Sequence, residues 1–138
     1  MKRSYPIAVL GLAAIIAGLV GGSARADETV SIGGSRAVLI KPKAPHASVI
    51  LMPGGSGSIA AGDHGDIHGV NFNQLVRTRN AYAARGLAVL VVDAGTPLGA
   101  AVQYMAAIKR PVTVIGSSLG TIRAPRGSRV GRGPTRWC

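Results

Sequence analysis

The sequence has no histidine after His68, and only His46 and His64 precede it. Any chemistry in the C-terminal half that needs an imidazole must therefore borrow one from upstream. Cysteine is nearly absent: the single thiol, Cys138, is the last residue, which excludes an internal disulfide framework. Acidic residues are scarce, five against sixteen lysines and arginines. That imbalance sits at the two ends. Between Asp27 and Gly120 there are eight basic and five acidic residues, a net of +3. The central region is thus nearly ordinary in charge, and the high pI is no argument for a nucleic-acid partner. No apolar run reaches the ~20 residues of a spanning helix. The longest, Ile7 to Val20, has 14 residues and four glycines run from Gly11 to Gly22. No internal repeat is visible.

The chain opens like an export signal. Lys2 and Arg3 precede the apolar run, and Ala24-Arg25-Ala26 fits an A-x-A cleavage site. We expect residues 1–26 to be removed and the mature protein to be periplasmic or secreted, with no stable membrane span. Residues 27–124 then make one small α/β domain. Residues 125–138 hold four arginines, three glycines and two prolines without apolar periodicity, as expected of a disordered basic tail.

Within the domain, Ala37 to Ile40 and Ala47 to Leu51 are short apolar runs split by Lys41-Pro42-Lys43-Ala44-Pro45, which predicts two strands joined by a turn. Phe72 to Arg85 has helical periodicity, with Phe72, Leu75, Val76, Tyr82 and Ala83 near one face and Gly86 as a stop. Leu87 to Val92 reads as a strand buried on both faces. Leu98, Ala101, Val102, Met105 and Ile108 repeat at helical spacing up to Pro111, and Val112 to Ile115 is the next strand. Alternating strands and helices imply a parallel sheet with right-handed crossovers.

The last strand runs into Gly116-Ser117-Ser118-Leu119-Gly120, a G-x-S-x-G motif. A serine there sits on a sharp strand-to-helix turn with its hydroxyl exposed, and the glycines relieve the crowding. A second signal is Met52-Pro53-Gly54-Gly55-Ser56-Gly57, which follows the Ala47 to Leu51 run. Such a loop can present backbone N–H groups beside the serine. Together the two motifs resemble the α/β-hydrolase family over residues 29–124. The resemblance implies a partial α/β-hydrolase-type parallel sheet with crossover helices and Ser118 as nucleophile. It implies an oxyanion hole from the N–H of Leu119 and one from Gly54 or Gly55. The chemistry is attack on an ester-like small molecule, giving an acyl-enzyme that water cleaves. No cofactor is implied.

The family order is serine, then acid, then histidine, and both later members are missing here. Asp93 ends a strand but precedes the serine, so we assign it a structural part. His64 and His68, with Asp63 and Asp66 beside them, are the alternative source of a base. The segment Asp63 to His68 also carries N and O groups at metal-ligand spacing, but Gly62, Gly65 and Gly69 oppose the helix that would align them, so we expect a solvated loop and no metal. With so few residues after the motif, we expect a chain truncated or frame-shifted after the elbow. Two other readings stand beside this one: a non-catalytic product, and a basic binding module acting through the arginine tail.

Overall fold

The computed structural model describes residues 27–123 together with the backbone of 135–137. The expected signal segment and most of the basic tail, with Cys138, lie outside the described residues.

Six strands form one sheet: β1 (Asp27–Ile32), β2 (Ser35–Ile40), β3 (Ala47–Met52), β4 (Leu87–Val91), β5 (Val112–Gly116) and β6 (Thr135–Trp137). Their order is β1-β2-β4-β3-β5-β6. Three helices complete the fold: α1 (Gln74–Ala84), α2 (Leu98–Ile108) and α3 (Leu119–Arg123). The sheet is mixed rather than wholly parallel. β3 is parallel to β4 and to β5, and β5 to β6, whereas β2 is antiparallel to both β1 and β4.

The predicted pair of strands flanking the Pro-rich turn does exist, but the two are not neighbours. β4 lies between β2 and β3, with Ile40 opposite Val89 and Val89 opposite Val49. The prolines end both strands without closing a hairpin. Antiparallel pairing instead falls to β1, which sequence periodicity did not reveal, through the turn at Gly33 and Gly34.

The continuous apolar runs are explained by two cores, one on each sheet face. Leu39, Ile50, Met52, Leu90 and Val114 point to the side covered by Leu98, Ala101 and Met105 of α2. Their immediate neighbours Val38, Ile40, Val49, Leu51, Val89 and Val91 point to the side covered by Leu75, Val76 and Ala83 of α1. Successive strand side chains alternate faces, so a strand covered on both sides must be apolar at every position. Ser48 is the exception. It is 1% exposed, and its hydroxyl donates to the carbonyls of Lys109 at 2.6 Å and Met105 at 3.2 Å, satisfying the end of α2.

Phe72 departs from the expected helix. Asn73 is the N-cap of α1, with its side chain accepting from the N–H of Leu75, so Phe72 lies before the helix and is 95% exposed. The tail also differs from expectation at three residues. Thr135, Arg136 and Trp137 pair in parallel with Val112, Thr113 and Val114. β6 thus occupies the outer edge of β5, whose N–H and C=O groups would otherwise lack a neighbouring strand.

Candidate functional site

β5 ends at Gly116 and α3 begins at Leu119, so the chain reverses direction across only Ser117 and Ser118. Ser118 takes φ +51°, a left-handed conformation rare for residues with a Cβ. Holding it costs about 1–3 kcal/mol. Two hydrogen bonds close the turn: Gly120 N–H to the Ser117 carbonyl and Thr121 N–H to the Ser118 carbonyl, both 2.9 Å. Thr121 Oγ1 also donates to the Ser118 carbonyl at 2.6 Å. The result is an exposed serine just past the end of β5.

The flanking glycines are demanded by contact. A Cβ on Gly116 would lie 2.8 Å from the Gly120 carbonyl carbon, and one on Gly120 would overlap the Met52 carbonyl oxygen. The elbow is therefore pressed onto the end of β3, and Ser117 N–H donates to that same Met52 carbonyl at 3.2 Å.

The glycine loop after β3 reaches the elbow as expected. A Cβ on Gly54 would stand 2.7 Å from the Ser118 Cβ and overlap the Ser117 carbonyl oxygen. However, the Gly54 N–H donates to Ser117 Oγ at 3.1 Å. Of the two loop donors named from sequence, Gly54 is committed to the neighbouring serine. Gly55 follows at φ +67° and is exposed. Leu119 supplies the first N–H of α3, a position without an intrahelical acceptor.

Asp93 follows β4 and acts on the loops. One carboxylate oxygen accepts from the Ile59 N–H at 3.0 Å and the other from the Gly95 N–H at 3.2 Å. Ala94 N–H adds a bond to the Gly57 carbonyl at 2.9 Å. Asp93 thus ties the far end of the glycine loop to β4.

The histidines lie elsewhere. The loop carrying His64 and His68 turns back on itself through Ala61 and Ile67 and is pinned to the opposite edge of the sheet. Thr29 Oγ1 of β1 donates to the Gly62 carbonyl at 2.5 Å and accepts from Gly65 N–H at 2.9 Å. Arg36 of β2 binds Asp63 at 2.5 Å, and this pair draws the exposed Asp63 carboxyl below its usual range. The His68 ring sits beside Gly62, 3.0 Å from where a Cβ would be. β2 is three strands from β5 and β1 four. At ~4.8 Å per strand, these anchors stand roughly 14–19 Å across the sheet from the elbow. His68 N–H donates to the Ala60 carbonyl at 3.3 Å, and no hydrogen bond among the described residues joins His64 or His68 to Ser118. His46 precedes β3, at the opposite end of that strand from Met52, and its N–H meets the Gly86 carbonyl at 3.0 Å.

Two residues at the elbow escaped sequence reasoning. Ser117 occupies a variable position of the motif, and Asn73 was hidden inside an expected helix. Asn73 Nδ2 donates to Ser117 Oγ at 3.1 Å, and Ser117 Oγ lies 3.4 Å from Asn73 Oδ1. An asparagine ahead of a periodic run is itself a capping signal. Its second contact, 44 residues along the chain, has no local signature.

No group of three or more His, Cys, Asp or Glu side chains able to hold a metal occurs among the described residues. Nor is any helix among them long and apolar enough to cross a membrane.

The mixed sheet, its helices on both faces and the strand–serine–helix turn fit an α/β-hydrolase-like fold. No protein-family model matches the chain, and no curated protein does. Solved structures with a similar chain path include a Thermus thermophilus protein (18% identity, TM-score 0.49, 71% of this chain and 48% of that one). Others are an N-formylmaleamic acid deformylase from Pseudomonas putida S16 (19%, 0.47, 75% and 41%) and an esterase/lipase from an uncultured bacterium (16%, 0.48, 76% and 40%). The chain spans less than half the length of each.

Proposed function

We propose that this chain is an exported serine hydrolase of α/β type, acting through Ser118 on small ester-like molecules. The observation that carries the reading is the +51° φ of Ser118. An unfavourable conformation held at one exposed, hydroxyl-bearing residue, on a turn with glycine on both sides, is the kind of strain that accompanies a nucleophile. In the reaction, Ser118 Oγ adds to the ester carbonyl and the alcohol departs, leaving an acyl-serine that water hydrolyses. The N–H groups of Leu119 and Gly55 supply the oxyanion donors in this reading, because Gly54 is engaged by Ser117.

The position of the histidines favours a second reading, a non-catalytic product. Without a general base the serine hydroxyl stays protonated and weakly nucleophilic, and the loop carrying His64 is tied through Gly62 and Asp63 to Thr29 of β1 and Arg36 of β2. The first reading keeps His64 or His68 as its base, since residues 1–26 and 124–138 contain no histidine, aspartate or glutamate.

Labelling of the folded full chain with a fluorophosphonate separates the two. Labelling that disappears in Ser118→Ala supports the hydrolase. Folded wild-type protein that takes up no label overturns it in favour of the non-catalytic product.

A further inference from the structure

Every polar group of Ser117 is used, and each reaches a different element. Its N–H donates to the Met52 carbonyl at the end of β3 (3.2 Å), and its carbonyl accepts from Gly120 in α3 (2.9 Å). Its Oγ accepts from Gly54 in the glycine loop and from Asn73 at the start of α1, both at 3.1 Å. Asn73 in turn caps α1 through Leu75 N–H at 2.9 Å. The two Oγ contacts span 63 and 44 residues of sequence. Backbone bonds alone would form the elbow. The hydroxyl does something else: it joins the loop and the helix to the turn.

We propose that Ser117 is a positioning residue, its hydroxyl clasping Gly54 and Asn73 so that the glycine loop is held in register with the Ser118 turn. A serine suits this position. It is short enough to sit against the Gly54 backbone, where a Cβ would overlap the Ser117 carbonyl, and a hydroxyl accepts two hydrogen bonds at once. The clasp also commits Gly54 N–H, which limits the loop's contribution at the oxyanion position to later N–H groups. The link to catalysis rests on the hydrolase reading above, whereas the clasp itself does not.

Two measurements on the full chain test it. The first is amide hydrogen exchange at Gly54, which needs no activity. Ser117→Ala is expected to speed exchange there by at least about fivefold, since a hydrogen bond worth about 1 kcal/mol is lost, and Ser117→Thr, which keeps the hydroxyl, to restore protection. Unchanged Gly54 exchange in Ser117→Ala overturns the proposal. Asn73→Ser serves if Ser117→Ala does not fold. Serine still caps α1 but has no amide to donate to Ser117, so the Ser117 hydroxyl is held less firmly and Gly54 exchange should rise while α1 protection persists; equal protection at Gly54 overturns the part of the clasp assigned to Asn73. The second measurement is the rate of fluorophosphonate labelling. Ser117→Ala is expected to label at least about tenfold more slowly than wild type, with Ser117→Thr recovering most of the rate. Faster Gly54 exchange with an unchanged labelling rate overturns the positioning role. Faster exchange in a protein whose wild type never labels leaves the clasp standing and sinks the hydrolase reading instead.

Discussion

The carbonyl oxygen of Met52 lies so close to the α-carbon of Gly120 that no Cβ fits between them. The same oxygen accepts the Ser117 N–H. One peptide group at the end of β3 thus sets both the depth and the direction of the serine turn. Both contacting atoms belong to backbone, so neither can rotate aside. Gly120→Ala is expected to destabilise the fold by about 3 kcal/mol or more, read as a fall in the urea midpoint or as failure to accumulate soluble protein. A variant of wild-type stability would mean that the turn is looser than described.

Ser118 carries the opposite expectation. At φ +51° its Cβ is a burden that glycine lacks. Ser118→Gly should stabilise the protein by about 1 kcal/mol, while Ser118→Ala, which keeps the Cβ, leaves stability nearly unchanged. Equilibrium denaturation of the two variants checks this. A serine alcohol retained at the expense of stability is what a functional turn requires, and a destabilised Ser118→Gly would remove the argument from strain.

Asp93 organises loops in this structure. Asp93→Ala frees the N–H groups of Ile59 and Gly95 from a charged acceptor, and Ile59 is fully buried. The expected cost is about 1.5–3 kcal/mol, measured by thermal or urea unfolding. No loss would show that water replaces the carboxylate at little cost.

Asp27 offers a test in pH. Burial pushes its carboxyl above the usual value of 3.8, against the pull of Arg79, and Asp66 adds to the rise. The folded pKa is then higher than the unfolded one. The stability tied to this group is fully present below the unfolded value and is lost as pH rises through the folded pKa. Asp27→Asn is neutral throughout, so its stability relative to wild type should improve as pH rises from below 3.8 through the folded pKa. Asp63, exposed and drawn downward by Arg36, has the reverse sign: its small contribution is lost as pH falls. Parallel urea titrations of the two asparagine variants distinguish the cases, and identical pH trends would refute the assignment.

The elements of this protein were largely legible before their arrangement was. The strand Val112–Gly116, the turn and the start of α3 are contiguous, and their glycines and apolar run lie within a dozen residues. The helix at Leu98–Ile108 was legible for the same reason, since its periodicity and the terminating Pro111 are local. Phe72 shows the limit of periodicity: it matches the α1 stripe by spacing, yet Asn73 caps the helix after it and leaves the ring exposed.

What the amino-acid sequence determined by itself is the local chemistry: a serine on a glycine-flanked turn, a glycine loop after an earlier strand, and an interior apolar enough for a sheet buried on both faces. Tertiary structure alone decided that β4 enters between β2 and β3, that Ser117 meets Gly54 and Asn73, and that Thr29 and Arg36 hold the His64 loop at the far edge. The physical reason is range. Turns and periodicities arise from neighbours a few residues apart, whereas strand order and loop anchorage come from pairings whose partners are separated by dozens of residues and carry no mark of each other in the chain.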